Sequence, residues 1–354
     1  MTNRTVLVTS IGTPIAHGVL KGLKEIQNIR IIGIDSRTLT AGNVFCDRVY
    51  RLPRFTEDKE NYFRQLNDII EKEDVQAIFP SHPYEIDLYT EYKTRLSIPF
   101  ALPESSQFDV LIDKGTTYAW LEAQGFSQYI PTYYLFKTQD ELKQLIQGEL
   151  KDEDEIVVKD TSGHGATGFA LLTSHDKFIK AIEQQQARVF AFEDYLKTRN
   201  TDSRMAMKNL DQPEFSVDLY VHDGKTVISI PRQRTGVSSG LVLDGTVIKH
   251  TELIEISSEI AEALITSGFI NLQFMKEDDR FKLTDINPRF CGSQVMSLGA
   301  GVNFPELFLT YQLTDKRPIP DPKWNTRMVR YRESVFYPNY NQENEPAVWS
   351  ADEE

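Results

Sequence analysis

Two hydrophobic periods alternate along the first hundred residues. Thr5–Ser10 (TVLVTS) is a short β-branched run that ends in Ile11-Gly12-Thr13-Pro14, after which apolar positions recur at helical spacing through Ile15, Val19, Leu23 and Ile26. Ile29–Asp35 (IRIIGID) reads as a second buried strand. Phe63, Leu66, Ile69 and Ile70 mark another helix, and Val75–Pro80 (VQAIFP) another strand. Continuously apolar strands separated by helices predict a parallel sheet covered on both faces, a Rossmann-like unit of about 100 residues.

Beyond it, the spacing predicts one helix from about Ser106 to Gln124, a turn at Ile130-Pro131-Thr132 into a strand, and a helix over Asp140–Leu150. Ile156–Lys159, Thr161–Gly168 and Phe169–Thr173 read as strand, tight loop and strand, followed by a helix over Asp176–Gln186. From Arg188 the texture turns strand-rich: Val189–Tyr195, Phe215–Val221, Thr226–Pro231, Leu272–Met275 and Phe281–Ile286, interrupted by a helix over Ser257–Ser267. Asn341–Glu354 holds five acidic residues and no basic ones, and reads as a frayed or disordered tail.

Composition narrows the function classes. At 40% hydrophobic and 26% charged residues the 354-residue chain is ordinary globular material. Lys and Arg number 39 against 52 Asp and Glu, a net charge of −13, which argues against a nucleic-acid partner. A few cations can still make one site attractive to an anionic small molecule. Cys46 and Cys291 are too few for a disulfide framework or a zinc cluster, and their scarcity fits a cytoplasmic setting. The N-terminus lacks the features of a secretory signal. No apolar run approaches the roughly 18 residues of a membrane span, so no membrane partner is expected.

The Rossmann-like start invites a dinucleotide, with Asp35 at the end of the second strand where a ribose-binding carboxylate would sit. Residues 10–18, however, read Ser-Ile-Gly-Thr-Pro-Ile-Ala-His-Gly, and Pro14 stands where the second glycine of the fingerprint should admit a pyrophosphate. An oxidoreductase is therefore the lesser reading.

The chemistry lies further on, in four pieces. Asp113-Lys114-Gly115 is the first. Val157-Val158-Lys159, with the loop Gly163-His164-Gly165-Ala166-Thr167-Gly168, is the second. A lysine at a strand end, before glycines whose amides can close on oxygen, suits a polyphosphate, although the order is not that of a Walker loop. The third is Phe192-Glu193-Asp194-Tyr195-Leu196, with Glu214-Phe215-Ser216-Val217-Asp218 after a polar stretch. Such a passage from buried strand to carboxylates can offer backbone groups to an adenine edge and a carboxylate to a ribose. The fourth is Asn271-Leu272-Gln273-Phe274 with Asp285-Ile286-Asn287-Pro288-Arg289. On a strand Asp285 and Asn287 share a face, and Gln273 on an antiparallel neighbour can join them as a third oxygen ligand for Mg²⁺. Arg289, two residues on, could hold a transferring phosphoryl group.

In this order and rough spacing the pieces resemble the ATP-grasp superfamily, most closely its biotin carboxylase and carbamoyl-phosphate synthetase branch, over about residues 5–315. The resemblance implies a fold of mixed α/β and α+β class, a Rossmann-like pre-ATP-grasp domain followed by a two-lobed ATP-grasp domain. Its implied segments are 1–103 for the first domain, 104–190 for linker helices and lid, 191–315 for the larger sheet, and 316–354 for an extension with the acidic tail. It implies ATP as ligand with Mg²⁺ or Mn²⁺. Lys114 and Lys159 would meet phosphates, and Gly163, His164, Gly165 and Gly168 would close over them. Glu193, Asp194, Tyr195 and Leu196 would form the adenine hinge, and Glu214 would take the ribose. Gln273, Asp285 and Asn287 would hold the metal, with Asp285, Asn287 and Arg289 as the catalytic set. The implied reaction is ATP-dependent ligation of a small carboxylate to an amine through an acyl phosphate, giving ADP and phosphate. The alternatives are a carbamoyl-phosphate-synthetase-like subunit that needs a partner, and a non-catalytic ATP-binding regulator. A homodimer stays open. Asp285 stands where the family usually has Glu, and the stretch Lys197–Pro213 after the hinge is unusually long.

The acceptor side is marked less clearly. Arg232 and Arg234 in Ile-Pro-Arg-Gln-Arg-Thr-Gly, with Ser293 in the loop after Cys291, would suit a carboxylate or phosphate of the co-substrate. Ser10–Pro14 and Ser81-His82-Pro83-Tyr84-Glu85 end N-terminal strands, where parallel sheets place their ligands.

Overall fold

The computed structural model describes residues 4–92, 95–163, 168–200, 202–238, 241–338, 340–341 and 346–351. In chain order, β1 (Arg4–Val8), α1 (Pro14–Lys24), β2 (Ile29–Asp35), β3 (Arg48–Arg51), α2 (Lys59–Glu73), β4 (Ala77–Phe79) and α3 (Glu85–Tyr92) build the first part. There follow α4 (Phe108–Ile112), α5 (Lys114–Ala123), β5 (Tyr133–Phe136), α6 (Gln139–Gln147), β6 (Glu155–Asp160), β7 (Ala170–Thr173), α7 (His175–Glu183), β8 (Val189–Ala191), α8 (Phe192–Tyr195) and β9 (Arg204–Lys208). The chain then forms β10 (Asp211–His222), β11 (Lys225–Ser238), β12 (Leu241–Val247), α9 (Thr251–Leu264), β13 (Gly268–Glu277) and β14 (Arg280–Asn287). It ends with α10 (Val295–Gly299), α11 (Phe304–Leu313), β15 (Arg327–Val329) and β16 (Val348–Ser350).

Three sheets result. The first runs β16-β3-β2-β1-β4, the second β14-β13-β10-β11-β12-β15 and the third β5-β9-β6-β7-β8. In the first, β1 pairs in parallel with β2 and β4, and β2 with β3, as the apolar runs predict. Its two-sided burial follows from the alternation of side chains along a strand. Val6 and Val8 pack in one cluster with Ala16, Val19, Leu20 and Leu23 of α1, while Leu7 packs in another with Leu66 and Ile69 of α2.

Compact units are not consecutive in sequence. One comprises Met1–Ser106, Ser216–Asn271 and Asn287–Glu354, and the other Gln107–Phe215 and Leu272–Ile286. The second unit has its own core of Phe136, Leu142, Ile156, Val158, Leu172, Tyr195 and Ala206. Among the described residues no helix is long and apolar enough to cross a membrane.

The structure corrects three sequence expectations. The helix over 106–124 is two helices, broken at Asp113, whose extended backbone (φ −120°) and side chain cap α5 by accepting the Thr116 amide at 2.8 Å. The strand read over Val189–Tyr195 stops at Ala191, and Phe192–Tyr195 turns into α8. The acidic tail is not frayed throughout, because Val348–Ser350 pairs antiparallel with β3 and half-buried Trp349 packs on the core. Three apolar or small residues sufficed there against the acidic surroundings.

Candidate active site

In the second unit, β6 and α5 bring two lysines to one carboxylate. The Lys114 amide donates to the Thr161 carbonyl at 2.7 Å, which fixes the first turn of α5 against the end of β6. Its ammonium lies 3.3 Å from Asp285 Oδ1 and 3.5 Å from the Gly163 carbonyl. Lys159 Nζ donates to the Thr284 carbonyl at 2.7 Å and lies 5.7 Å from the centre of the Tyr118 ring. Tyr118 in turn donates to the Leu283 carbonyl at 2.9 Å. Lys114, Tyr118, Gly163 and Asp285 line a small concavity, closed behind by Leu111 and Ile112. Burial pushes the Lys159 ammonium down to about 8, with Lys114 adding to the shift and Asp285 and Glu214 opposing it. Two cations against one adjacent carboxylate leave the pocket short of negative charge, which an anionic ligand would supply.

Gly163 and Gly168 bracket the glycine loop with φ of +108° and +72°. A Cβ on Gly168 would lie 2.0 Å from Asp160 Oδ2, so only glycine fits there. His164 and Gly165 lie outside the described residues.

Sequence reasoning placed the adenine hinge at Glu193, Asp194, Tyr195 and Leu196, and the topology departs from it. These residues follow the edge strand β8, which β7 separates from the strand bearing Lys159. Glu193 and Asp194 are exposed, with Asp194 paired to Lys197 at 2.8 Å; Leu196 packs on the core of the second unit. Tyr195 is buried, and its hydroxyl accepts from Arg204 at 2.8 Å. The strand beside β6 is β9, in the register Lys159↔Met205, Val158↔Ala206 and Val157↔Met207. From β9 the chain runs through Lys208, Asn209 and Leu210 into β10, where Glu214 lies half-buried. The long stretch after Leu196 thus contains a strand. Its signal was present in Arg204-Met205-Ala206-Met207-Lys208, which alternates too weakly to stand out.

The first unit holds a buried polar network. Arg232 is fully buried, which corrects its assignment to a co-substrate. It forms a salt bridge with Asp218 at 2.6 Å and donates to the Ser293 carbonyl at 2.7 Å. Ser293 is thereby a pin for its loop; its hydroxyl lies 3.5 Å from Cys291 Sγ. Arg234 is half-buried on the same strand. Arg330, not singled out from the sequence, donates to the neighbouring Gly292 carbonyl at 2.8 Å. Asp218 also accepts from Ser297 at 2.7 Å and Asn271 at 2.9 Å. Asn287 donates to Asn271 at 3.3 Å and accepts from Arg289 at 2.9 Å. Burial first, then the Asp218 charge, raises the Cys291 thiol, so it is an inert space filler.

At the carboxyl ends of the parallel strands, Asp35 accepts the Gly12 amide at 3.0 Å and both the amide and Nε of Arg37 at 3.1 Å. It serves the loop, which leaves no ribose role for it. Burial raises Glu85 to about 7 despite hydrogen bonds from Thr9, Ser10 and the amides of Ser81 and His82. Burial first, then the nearby Arg289 charge, pushes the His82 imidazole below its ordinary value.

Of the residues expected to hold a divalent cation, Gln273 and Asp285 lie in the second unit and Asn287 in the first. Among the described residues no group of three His, Cys, Asp or Glu side chains could hold a metal. Asp285 Oδ1 is buried and accepts no hydrogen bond. That oxygen, with the Lys114 ammonium 3.3 Å away, fits a hard cation such as Mg²⁺ whose other ligands include water and phosphate.

Residues 6–98 match the family described as PylC-like, N-terminal domain. Residues 200–334 match the family described as ATP-grasp in the biosynthetic pathway with Ter operon. No curated protein matches the chain in sequence. Among solved structures, N5-carboxyaminoimidazole synthetase from Staphylococcus aureus, complexed with ADP, is 13% identical with a TM-score of 0.65, covering 93% of this chain and 83% of that one. The biotin carboxylase domain of 2-oxoglutarate carboxylase from Hydrogenobacter thermophilus is 13% identical with a TM-score of 0.65, covering 92% and 74%. The L-amino acid ligase from Bacillus licheniformis is 14% identical with a TM-score of 0.61, covering 91% and 76%. Residues 200–334 thus match an ATP-grasp family and residues 6–98 a PylC-like N-terminal domain, on a fold shared with biotin carboxylase.

Proposed function

We propose that the protein is an ATP-dependent ligase that joins a small carboxylic acid to an amine through an acyl phosphate, releasing ADP and phosphate. The observation that carries this reading is the meeting of Lys114 and Lys159 with Asp285 beside Gly163. Lys114 and Lys159 would bind the phosphates and offset their charge as the anionic carboxylate approaches. The glycines at 163 and 168 let backbone amides approach the same oxygens. Lys208–Leu210, at the end of β9 on the strand pair that carries Lys159, would take the adenine-hinge role in place of Glu193–Leu196, with Glu214 toward the ribose. Gln273 and Asp285 would hold Mg²⁺, which when bound draws charge from the phosphates. Arg289 would hold the transferred phosphoryl group, and its guanidinium is already oriented by Asn287 and the Phe290 carbonyl at 3.0 Å. With Arg232 buried, the groups left for the acceptor are Arg234 and the loop ends near Gly12 and His82.

Incubation with Mg²⁺, ATP and panels of carboxylates and amines should release ADP, and hydroxylamine should trap a hydroxamate. Lys159→Ala should weaken ATP binding at least tenfold, the scale of one charge-assisted contact. Asp285→Ala should abolish turnover and leave the circular dichroism spectrum unchanged. ATP binding without turnover across wide panels would favour a regulator over a ligase.

A further inference from the structure

We propose that β15 and its continuation to Glu333 join two copies of this chain, edge to edge and antiparallel about a two-fold axis at Arg330. The second sheet ends at β15, which pairs with β12 in the register Thr246↔Arg327, Gly245↔Met328 and Asp244↔Val329. The Arg330 amide extends this ladder by donating to the Leu243 carbonyl at 2.7 Å. Along an antiparallel strand, successive residues turn their backbone groups to opposite edges. Met328 and Arg330 therefore spend theirs on β12, and those of Arg327, Val329 and Tyr331 face the open edge. Among the described residues nothing pairs with that edge. Neither a proline nor a bulge interrupts β15, although such devices commonly keep an edge from pairing.

The side chains alternate in step. Met328 and Arg330 are half-buried on one face, and the Arg330 guanidinium donates to the Gly292 carbonyl at 2.8 Å. On the other face Val329 is 69% and Tyr331 77% exposed. The Tyr331 hydroxyl donates to Glu333 at 3.4 Å, which continues that face two residues further, as extended chain does. Exposed β-branched and aromatic residues on an edge strand are what a cross-strand neighbour would cover.

The occupant is a second copy because the segment complements itself. Open-edge residues must meet open-edge residues, so odd positions face odd positions. With the axis at Arg330, Val329 stands opposite Tyr331 and Arg327 opposite Glu333, and symmetry makes each pair twice. Aromatic with β-branched and acid with base are favourable cross-strand neighbours. Arg327 holds Asp244 through two contacts, at 2.7 and 3.0 Å. Glu333 of the second copy would extend this into a row of alternating sign, Asp244, Arg327, Glu333. The two Arg330 side chains leave the axis on the opposite face, each toward the Gly292 carbonyl of its own copy.

Sedimentation of the full chain at micromolar concentration should give a dimer. Val329→Pro removes an outward N–H and none that β12 uses, so it should give a monomer with an unchanged circular dichroism spectrum. Glu333→Arg sets like charges opposite Arg327 and should weaken self-association about tenfold or more. Its side chain is exposed, so it carries the decision if the proline variant does not fold. Val329→Cys with Tyr331→Cys should give a covalent dimer on mild oxidation, because opposed hydrogen-bonded residues lie about 5.5 Å apart, within disulfide reach. A monomeric wild type, or a dimer unchanged by Val329→Pro or by Glu333→Arg, would overturn the interface.

Discussion

Lys159 shows how burial turns a generic cation into a tuned one. A free lysine titrates near 10.4, and in the fold this ammonium is pushed down to about 8, chiefly by desolvation. The sign follows from linkage. The folded state binds this proton less readily than the unfolded state, so the charged form costs stability below about 8, and that cost is relieved as pH rises through 8 toward 10. An anionic nucleotide prefers the protonated lysine, so its affinity should fall as pH rises past about 8, by up to about tenfold per unit. Isothermal titration of ADP from pH 7 to 9.5 would show the decline. Lys159→Arg, which stays charged over that range, should flatten it.

Among the elements, the five-stranded sheet of the second unit is where local pattern misleads. Val189–Tyr195 has the better strand-like sequence, yet only Val189–Ala191 extends and it occupies the edge. Arg204–Lys208 is the weaker pattern and takes the inner place between β5 and β6, because pairing on both sides supplies what its sequence does not. The strand–loop–strand of β6 and β7 depends on Gly168, at φ +72° and against Asp160. Gly168→Ala should cost about 1–3 kcal/mol through left-handed backbone strain. It should also disturb Asp160, which pairs with Arg204 at 2.8 Å. A thermal melt and an ADP titration would register both effects; a melt matching wild type would show that the loop has room the geometry denies.

For the whole molecule, the net charge of −13 describes the surface and says little of the neighbourhood of Asp285, where Lys114 pairs with it and Lys159 feels its charge. The parallel sheet would end at β3 without its last strand; β16 covers that edge, and Thr38 donates to the Pro346 carbonyl beside it. Ending the chain at Asn341 should therefore lower the melting temperature by a few degrees. ADP affinity should stay near wild type, because Lys114 and Lys159 belong to the other unit. Equal melting temperatures would show that β16 adds nothing to the edge it covers.

The sequence by itself determined the parallel N-terminal sheet. Apolar runs such as Val6–Val8 and Ile31–Asp35 need burial on both faces whatever surrounds them. It also exposed Lys114, Lys159, Gly163, Asp285, Asn287 and Arg289 as candidates, since polar residues at the ends of apolar strands are visible in one dimension. Tertiary structure alone decided which of the polar residues meet. Arg232 looked like a surface arginine until Asp218, fourteen positions away, was found beside it. Glu193–Leu196, expected as the adenine hinge, follow an edge strand instead, because strand order, which local propensity does not encode, set β9 and not β8 beside β6. The orientation of Asn287 is fixed by hydrogen bonds whose partners are brought together only by folding.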